Sequence, residues 1–207
     1  MLMLIFEVLP KPDREAAYFE MAAALKPTLD DSGGLLFLDR SRSDDRPGWF
    51  LSHQYWRDEA SMARWRANGA HHRAQVCGRT DILADYRLRV GQVIAEIGPD
   101  RDVFGHGHES AVAYDQGPRT ARYILTVATR GHGVAVASGA SRFQSVYEPD
   151  LGICIIEVAS RAEGENLLST LASQPTVAIA RLSLISRDYG MFDRSEAPQF
   201  FEPVTLA

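Results

Sequence analysis

The stretch from Phe50-Leu51 through Trp65 and the stretch from Ile153-Cys154 through Leu168 share one pattern, an apolar strand followed by an amphipathic helix, at an offset of 103 positions. A second pair, Tyr86-Arg87-Leu88-Arg89-Val90 and Ala180-Arg181-Leu182-Ser183-Leu184, repeats at an offset of 94. An internal repeat of this kind restricts the fold more than composition does, because each copy must be one unit with its own hydrophobic face. The nine positions lost between the two offsets fall near Ala70 to Gly78 of the first copy, so the copies are unequal.

Within the first copy the periodicities alternate. Leu2, Leu4, Phe6 and Val8 interleave with Met3, Ile5 and Glu7, the period of a strand, which Pro10 and Pro12 end. Asp13 is placed to cap a helix starting at Arg14, with Tyr18, Ala22, Leu25 and Leu29 on one face and Pro27 loosening its last turn. Gly33-Gly34 stops it. Leu35 to Ser41 and Trp49 to Trp56 read as strands joined by the polar turn Ser43 to Gly48. Asp58 caps a helix carrying Met62 and Trp65, Asn68-Gly69 breaks it, and a short helical stretch runs from Ala70 to Cys77. The last strand, Asp85 to Ile97, changes phase after Gly91, which predicts a bulge.

That order is βαββαβ, a ferredoxin-like half. The second copy reads as strands at Arg122 to Ala128, Arg142 to Tyr147, Gly152 to Val158 and Thr176 to Ser186, with a helix from Arg161 to Leu171. Between its first two strands stands only the Gly-rich run 131–139. The expected organisation is a ferredoxin-like domain over 1–98, a linker over 99–119, a second, reduced copy over 120–192, and a tail over 193–207. A four-stranded ferredoxin-like sheet leaves one face bare, and that face needs a partner sheet. The fold class is therefore α+β, two antiparallel sheets packed as an intrachain pseudo-dimer, with a cavity expected between them. A homodimer of the whole chain remains open.

Composition sets the outer limits. Forty-five per cent hydrophobic and 24% charged content is that of an ordinary globular chain, and a formal net charge of −5 argues against nucleic acid or an anionic membrane as partner. The apolar run at the start has no basic residue before it and is broken by Glu7, so it reads as a strand rather than a signal sequence; cytoplasmic location is the expectation. Cys77 and Cys154 are too few for a zinc cluster or a disulfide framework.

The runs PKPDREAAYFEMAAALKPTL, FLSHQYWRDEASMARWR and HHRAQVCGRTDILADYRLRV resemble the antibiotic biosynthesis monooxygenase domain of the dimeric α+β barrel superfamily. The pattern His71-x-x-x-Gln75-x-x-Gly78-Arg79, with Trp65 six residues earlier, carries the resemblance most clearly. It covers 1–97 well and 120–192 weakly. It implies a small cofactor-free monooxygenase that uses O2 to oxidise an aromatic or polyketide-like substrate of quinol or anthrone type. Haem binding or haem degradation is the alternative, weakened because Met1 to Pro10 lacks the Asn that haem-degrading relatives carry there. A non-catalytic ligand-binding or stress-related role is the third.

His71 and Gln75, four apart, share a helix face that Trp65 can border. The resemblance implies a base at His71; His53 and Tyr55 share a strand face with Leu51 and would orient a substrate hydroxyl if that face lines the cavity, and Trp65, His72 and Gln75 are expected to touch the substrate. A histidine suits that role because its pKa lies near the working pH. The competing reading leaves His71 and His72 as hydrated helix-surface residues and His53 as a core histidine. Trp49, Trp56 and Trp65 read first as packing residues. His106-Gly107-His108-Glu109 lacks further fixed ligands and reads as solvated loop, and no metal site is expected. Arg87 and Arg89 read as the solvent face of their strand.

Overall fold

A computed structural model of the chain describes residues 1–105, 122–131 and 139–198. The elements are β1 (Leu2–Pro10), α1 (Glu15–Asp30), β2 (Leu35–Ser43), β3 (Phe50–Trp56), α2 (Glu59–Ala67), α3 (Gly69–Cys77), a π turn (Gly78–Ile82), β4 (Leu83–Ile97), α4 (Arg101–Phe104), β5 (Arg122–Arg130), β6 (Ser141–Ser145), β7 (Leu151–Val158), α5 (Arg161–Leu171) and β8 (Val177–Gly190). The eight strands close into one antiparallel barrel in the order β1-β3-β2-β6-β7-β5-β8-β4. The front half contributes β2-β3-β1-β4 and the back half β6-β7-β5-β8, the same internal order twice. Two seams close the barrel. Short β2 pairs with β6, and the long last strands β4 and β8 run past each other. Each bare sheet face has found the other.

Expectation and structure differ at several points. Asp13 does not cap α1; it sits in a turn at φ 61°, and Arg14 precedes the helix without a side-chain cap. Asp58 does cap α2, accepting the Ser61 N–H at 2.7 Å, and Asn68 caps α3 through the N–H groups of Ala70 and His71. The start of the expected linker folds into a helical turn whose Phe104 is fully buried against Phe37, with ring centroids 4.5 Å apart. The His106–His108 segment and the run 132–138 lie outside the described residues.

The larger correction concerns the barrel interior. It is packed by Met3, Ile5, Leu51 and Tyr55 from the front and by Ile124, Phe143, Ile153 and Ile185 from the back. Side chains meeting from two sheets fill the volume where a substrate cavity was expected. Arg89 belongs to this face as well, because alternation along β4 sends Tyr86, Leu88 and Val90 outward and Arg89 inward. It is buried and ion-paired with Glu7, and it reaches Glu157 of the back half at 2.8 Å. Arg87 stays half-exposed, held by Asp188 at 2.7 Å.

Candidate active site

The outer face of the front sheet and the helices above it enclose a cavity of about 190 Å3. Its floor follows from strand register. One row runs Leu38, Gln54, Leu4, Val90, Arg187 across β2, β3, β1, β4 and β8, and the next runs Arg40, Ser52, Phe6, Leu88, Tyr189. Four strand spacings separate the ends of each row, roughly 19 Å. Within the cavity Leu4, Val90, Phe6 and Leu88 make the middle apolar, with Arg40, Ser52 and Gln54 on one side and Arg187 and Tyr189 on the other. Among the described residues, α1 contributes Tyr18, Ala22 and Leu25 to the opposite wall, and α2 and α3 contribute Met62, Trp65, His71 and Gln75.

His71 owes its position to a helix break. Asn68 ends α2 and starts α3, which places His71 in the first turn of α3, directly over the end of α2. Its ring stacks on Trp65 with centroids 4.2 Å apart and 14° between planes. Its Nδ1 lies 3.0 Å from the Trp65 carbonyl oxygen, which fixes the tautomer: Nδ1 carries the proton and donates, leaving the Nε2 lone pair as acceptor. Burial pushes its pKa down to about 4, so the ring is neutral at physiological pH. Gln75, one turn on, has its Oε1 buried without a hydrogen-bond partner among the described residues.

The far end of the cavity is built by the back half. In the β4–β8 ladder Val90 faces Arg187 while Gly91 faces Ile185, so Ser186 is an extra residue on β8. The bulge reverses the alternation. Ile185 points into the barrel, whereas Arg187 and Tyr189 point out into the front cavity. Ser186 Oγ donates to the Val90 carbonyl at 3.1 Å and pins the bulge. Gly91 is required opposite it, since a Cβ there would stand 2.8 Å from the Leu184 carbonyl oxygen. Arg187 Nη2 donates to Glu59 at 2.9 Å, and Arg194 lies over the Tyr189 ring at 5.3 Å. Burial raises the Tyr189 phenol, which therefore stays protonated.

The sequence-derived candidates separate into three groups. Trp65, His71 and Gln75 line the cavity together. His72 points the other way, exposed on α3, because adjacent helix positions do not share a face. His53 and Tyr55 lie on the opposite side of the sheet, inside the barrel, since they share the parity of Leu51. Tyr55 Oη is 2.8 Å from Thr126 Oγ1 of the back half, and the Arg181 guanidinium covers its ring at 4.2 Å. Both nitrogens of His53 lack hydrogen-bond partners among the described residues, and burial, with Arg181 nearby, lowers its pKa to about 3. His53 is a core histidine. Periodicity gave no sign of Arg40, Arg187 or Tyr189 as cavity residues; only the register across two halves brings them there.

Comparison with known proteins completes the site. The first 76 residues match the family model for antibiotic biosynthesis monooxygenase. Over its whole length the chain is similar to a protein of Pyricularia oryzae, "Jasmonate monooxygenase ABM", at 33% identity, with 99% of this chain and 100% of that protein aligned. The chain belongs to the antibiotic biosynthesis monooxygenase family. It is also similar to two solved structures. A Pseudomonas aeruginosa protein is 20% identical over 45% of this chain and 94% of its own, with a TM-score of 0.41. An "anthrone oxidase-like protein" is 12% identical over 96% of each chain, with a TM-score of 0.40.

For a monooxygenase-family site, the residues suit a compact organic ligand. A dry cavity of about 150 Å3 admits benzene, so this one has room for a single ring system with a short chain. A porphyrin plane needs far more, and no haem step is derived from these residues. No cluster of three metal-ligating side chains occurs among the described residues, and no described helix is long and apolar enough to cross a membrane.

Proposed function

We propose that the chain is a cofactor-free monooxygenase whose substrate binds between the front sheet and helices α1–α3, with His71 as proton acceptor. The observation that carries this reading is the fixed tautomer of His71, which leaves Nε2 as a neutral acceptor, with the Gln75 amide 3.5 Å from the other ring nitrogen, Nδ1. A neutral acceptor at the wall of the cavity suits a substrate with an acidic O–H or C–H. For an anthrone-type methylene, the carbon loses a proton to His71 and the carbanion passes an electron to O2. Recombination gives a peroxide on that carbon, which loses water to leave a carbonyl. The net change is CH2 + O2 → C=O + H2O, with all four electrons supplied by the substrate.

Magnitudes limit the role of His71. Against a phenol of pKa about 10, a base of pKa about 4 faces a gap costing about 8 kcal/mol. His71 cannot close that gap alone. The arginines lining the cavity favour the substrate anion, and the anion in turn raises the imidazole pKa, so the two ends of the site act on one proton.

The test is oxygen uptake with the full-length protein and a panel of anthrones, quinols and jasmonate, the last suggested by the relative's name. Jasmonate is assayed with a two-electron donor, because hydroxylation of an unactivated C–H needs one. His71→Ala is expected to lose at least about a hundredfold in rate on anthrones. Equal rates for both proteins would remove His71 from the reaction, and no uptake with any member would remove the oxygenase reading.

A further inference from the structure

The front cavity is lined by an excess of cationic side chains. Five of its described lining residues are arginines, Arg40, Arg66, Arg79, Arg187 and Arg194, and none is Asp or Glu. The chain as a whole is formally −5, so this concentration arises from placement rather than composition. Arg187 is its most telling member. One of its terminal nitrogens holds Glu59, while its Nε is buried and has no hydrogen-bond partner among the described residues. A guanidinium is a planar fork of five donors suited to carboxylate oxygens, and a buried N–H without an acceptor is costly until one arrives.

The surroundings fit the same ligand. Val90 and Leu4 adjoin Arg187 in its row of the floor, and Phe6 lies in the next row, so an apolar body can lie against the sheet while its charged end reaches the guanidinium. Tyr189, protonated and two residues on, adds an O–H donor at the same end. The Ser186 bulge exists at the position that turns both side chains outward. Among the described residues, the equivalent outer face of the back half is packed by Leu168, Ala180 and Leu182.

Resting on the reading of this cavity as the substrate site, we propose that its substrate is an organic acid, an apolar body on Leu4, Phe6 and Val90 with its carboxylate seated on Arg187. The second copy of the repeat then sets specificity for a site located in the first.

The test is calorimetric titration of the full-length protein with cyclohexanepropionate and with its methyl ester. The acid is expected to bind at least about tenfold more tightly than the ester, the worth of one charge-assisted contact. Arg187→Met should abolish that preference and leave the ester unchanged, Arg187→Lys should restore part of it, and Arg161→Met, on exposed α5 away from the cavity, should leave it intact. Equal affinity for acid and ester in the unmodified protein, no binding of either at millimolar concentration, or an unchanged preference in Arg187→Met would each overturn the proposal. The acid–ester comparison needs no variant to fold and no oxygen to be consumed, so its failure is separate from failure of the oxygenase reading.

Discussion

Single residues in this protein are best understood by which side of the sheet they face. His53 and His71 look alike in sequence, yet one is sealed inside the barrel and the other lies over a cavity. His53 is buried with both nitrogens unpartnered, an arrangement that costs roughly 1–3 kcal/mol. His53→Leu is therefore expected to hold or raise stability at pH 7, measured by urea unfolding. The effect on acid stability follows from linkage. With folded-state values of about 3 for His53 and about 4 for His71 against 6.5 unfolded, the unfolded chain binds more protons. Stability is thus full above pH 6.5 and falls as pH drops through the window below it. His53→Leu should remove the larger part of that fall between pH 6.5 and 3, and an unchanged pH profile would count against burial as the cause. For catalysis, the same lowering at His71 predicts an activity that stays flat down to about pH 5 rather than declining near 6.5.

At the scale of elements, the bulge in β8 is the device that matters. Deleting Ser186 would restore strict alternation along β8 with Ile185 still opposite Gly91 and Arg187 still opposite Val90, so Arg187 and Tyr189 would keep their outward direction. Organic-acid binding is therefore expected to survive the deletion, and its loss in the same titration would show that the bulge itself, pinned by Ser186 Oγ on the Val90 carbonyl, sets the reach of Arg187. The companion change Gly91→Ala tests the other strand. Its Cβ would press on the backbone of Leu184, and we expect a loss of about 1–3 kcal/mol, measured by denaturant titration. A neutral Gly91→Ala would mean that β4 can slide past the bulge.

The whole molecule is one closed barrel whose halves share a core. Arg181 of the back half, fully buried, ties the halves together at one end: it reaches Glu96 at 3.1 Å and donates to the carbonyls of Phe104 and Gly105 at 2.8 and 2.6 Å. Arg181→Met would strand those acceptors and should cost about 3–5 kcal/mol. At the β2–β6 seam, Asp39 accepts from Ser41 and from Ser145 across the halves, with Ser145 at 2.6 Å. Because Met3, Ile5 and Leu51 are covered only by the back half, a chain ending at 98 should fail to give a stable monomer, as gel filtration and thermal melting would show.

The sequence determined the elements and their order. Alternation marked the strands, the Asp58 cap and the Asn68-Gly69 break marked α2 and α3, the phase change after Gly91 marked a real register shift, and the doubled pattern required two sheets to meet. These are local or repeat-level signals, written in the spacing of apolar residues. Tertiary structure alone decided which face of each sheet holds the cavity and what completes it. Parity along a strand separates two sides without saying which side the helices cover, so His53 and Tyr55 could not be told from cavity residues. Arg187 enters the site only through pairing between β4 and β8, strands almost a hundred residues apart in the chain, and no local period records such a contact.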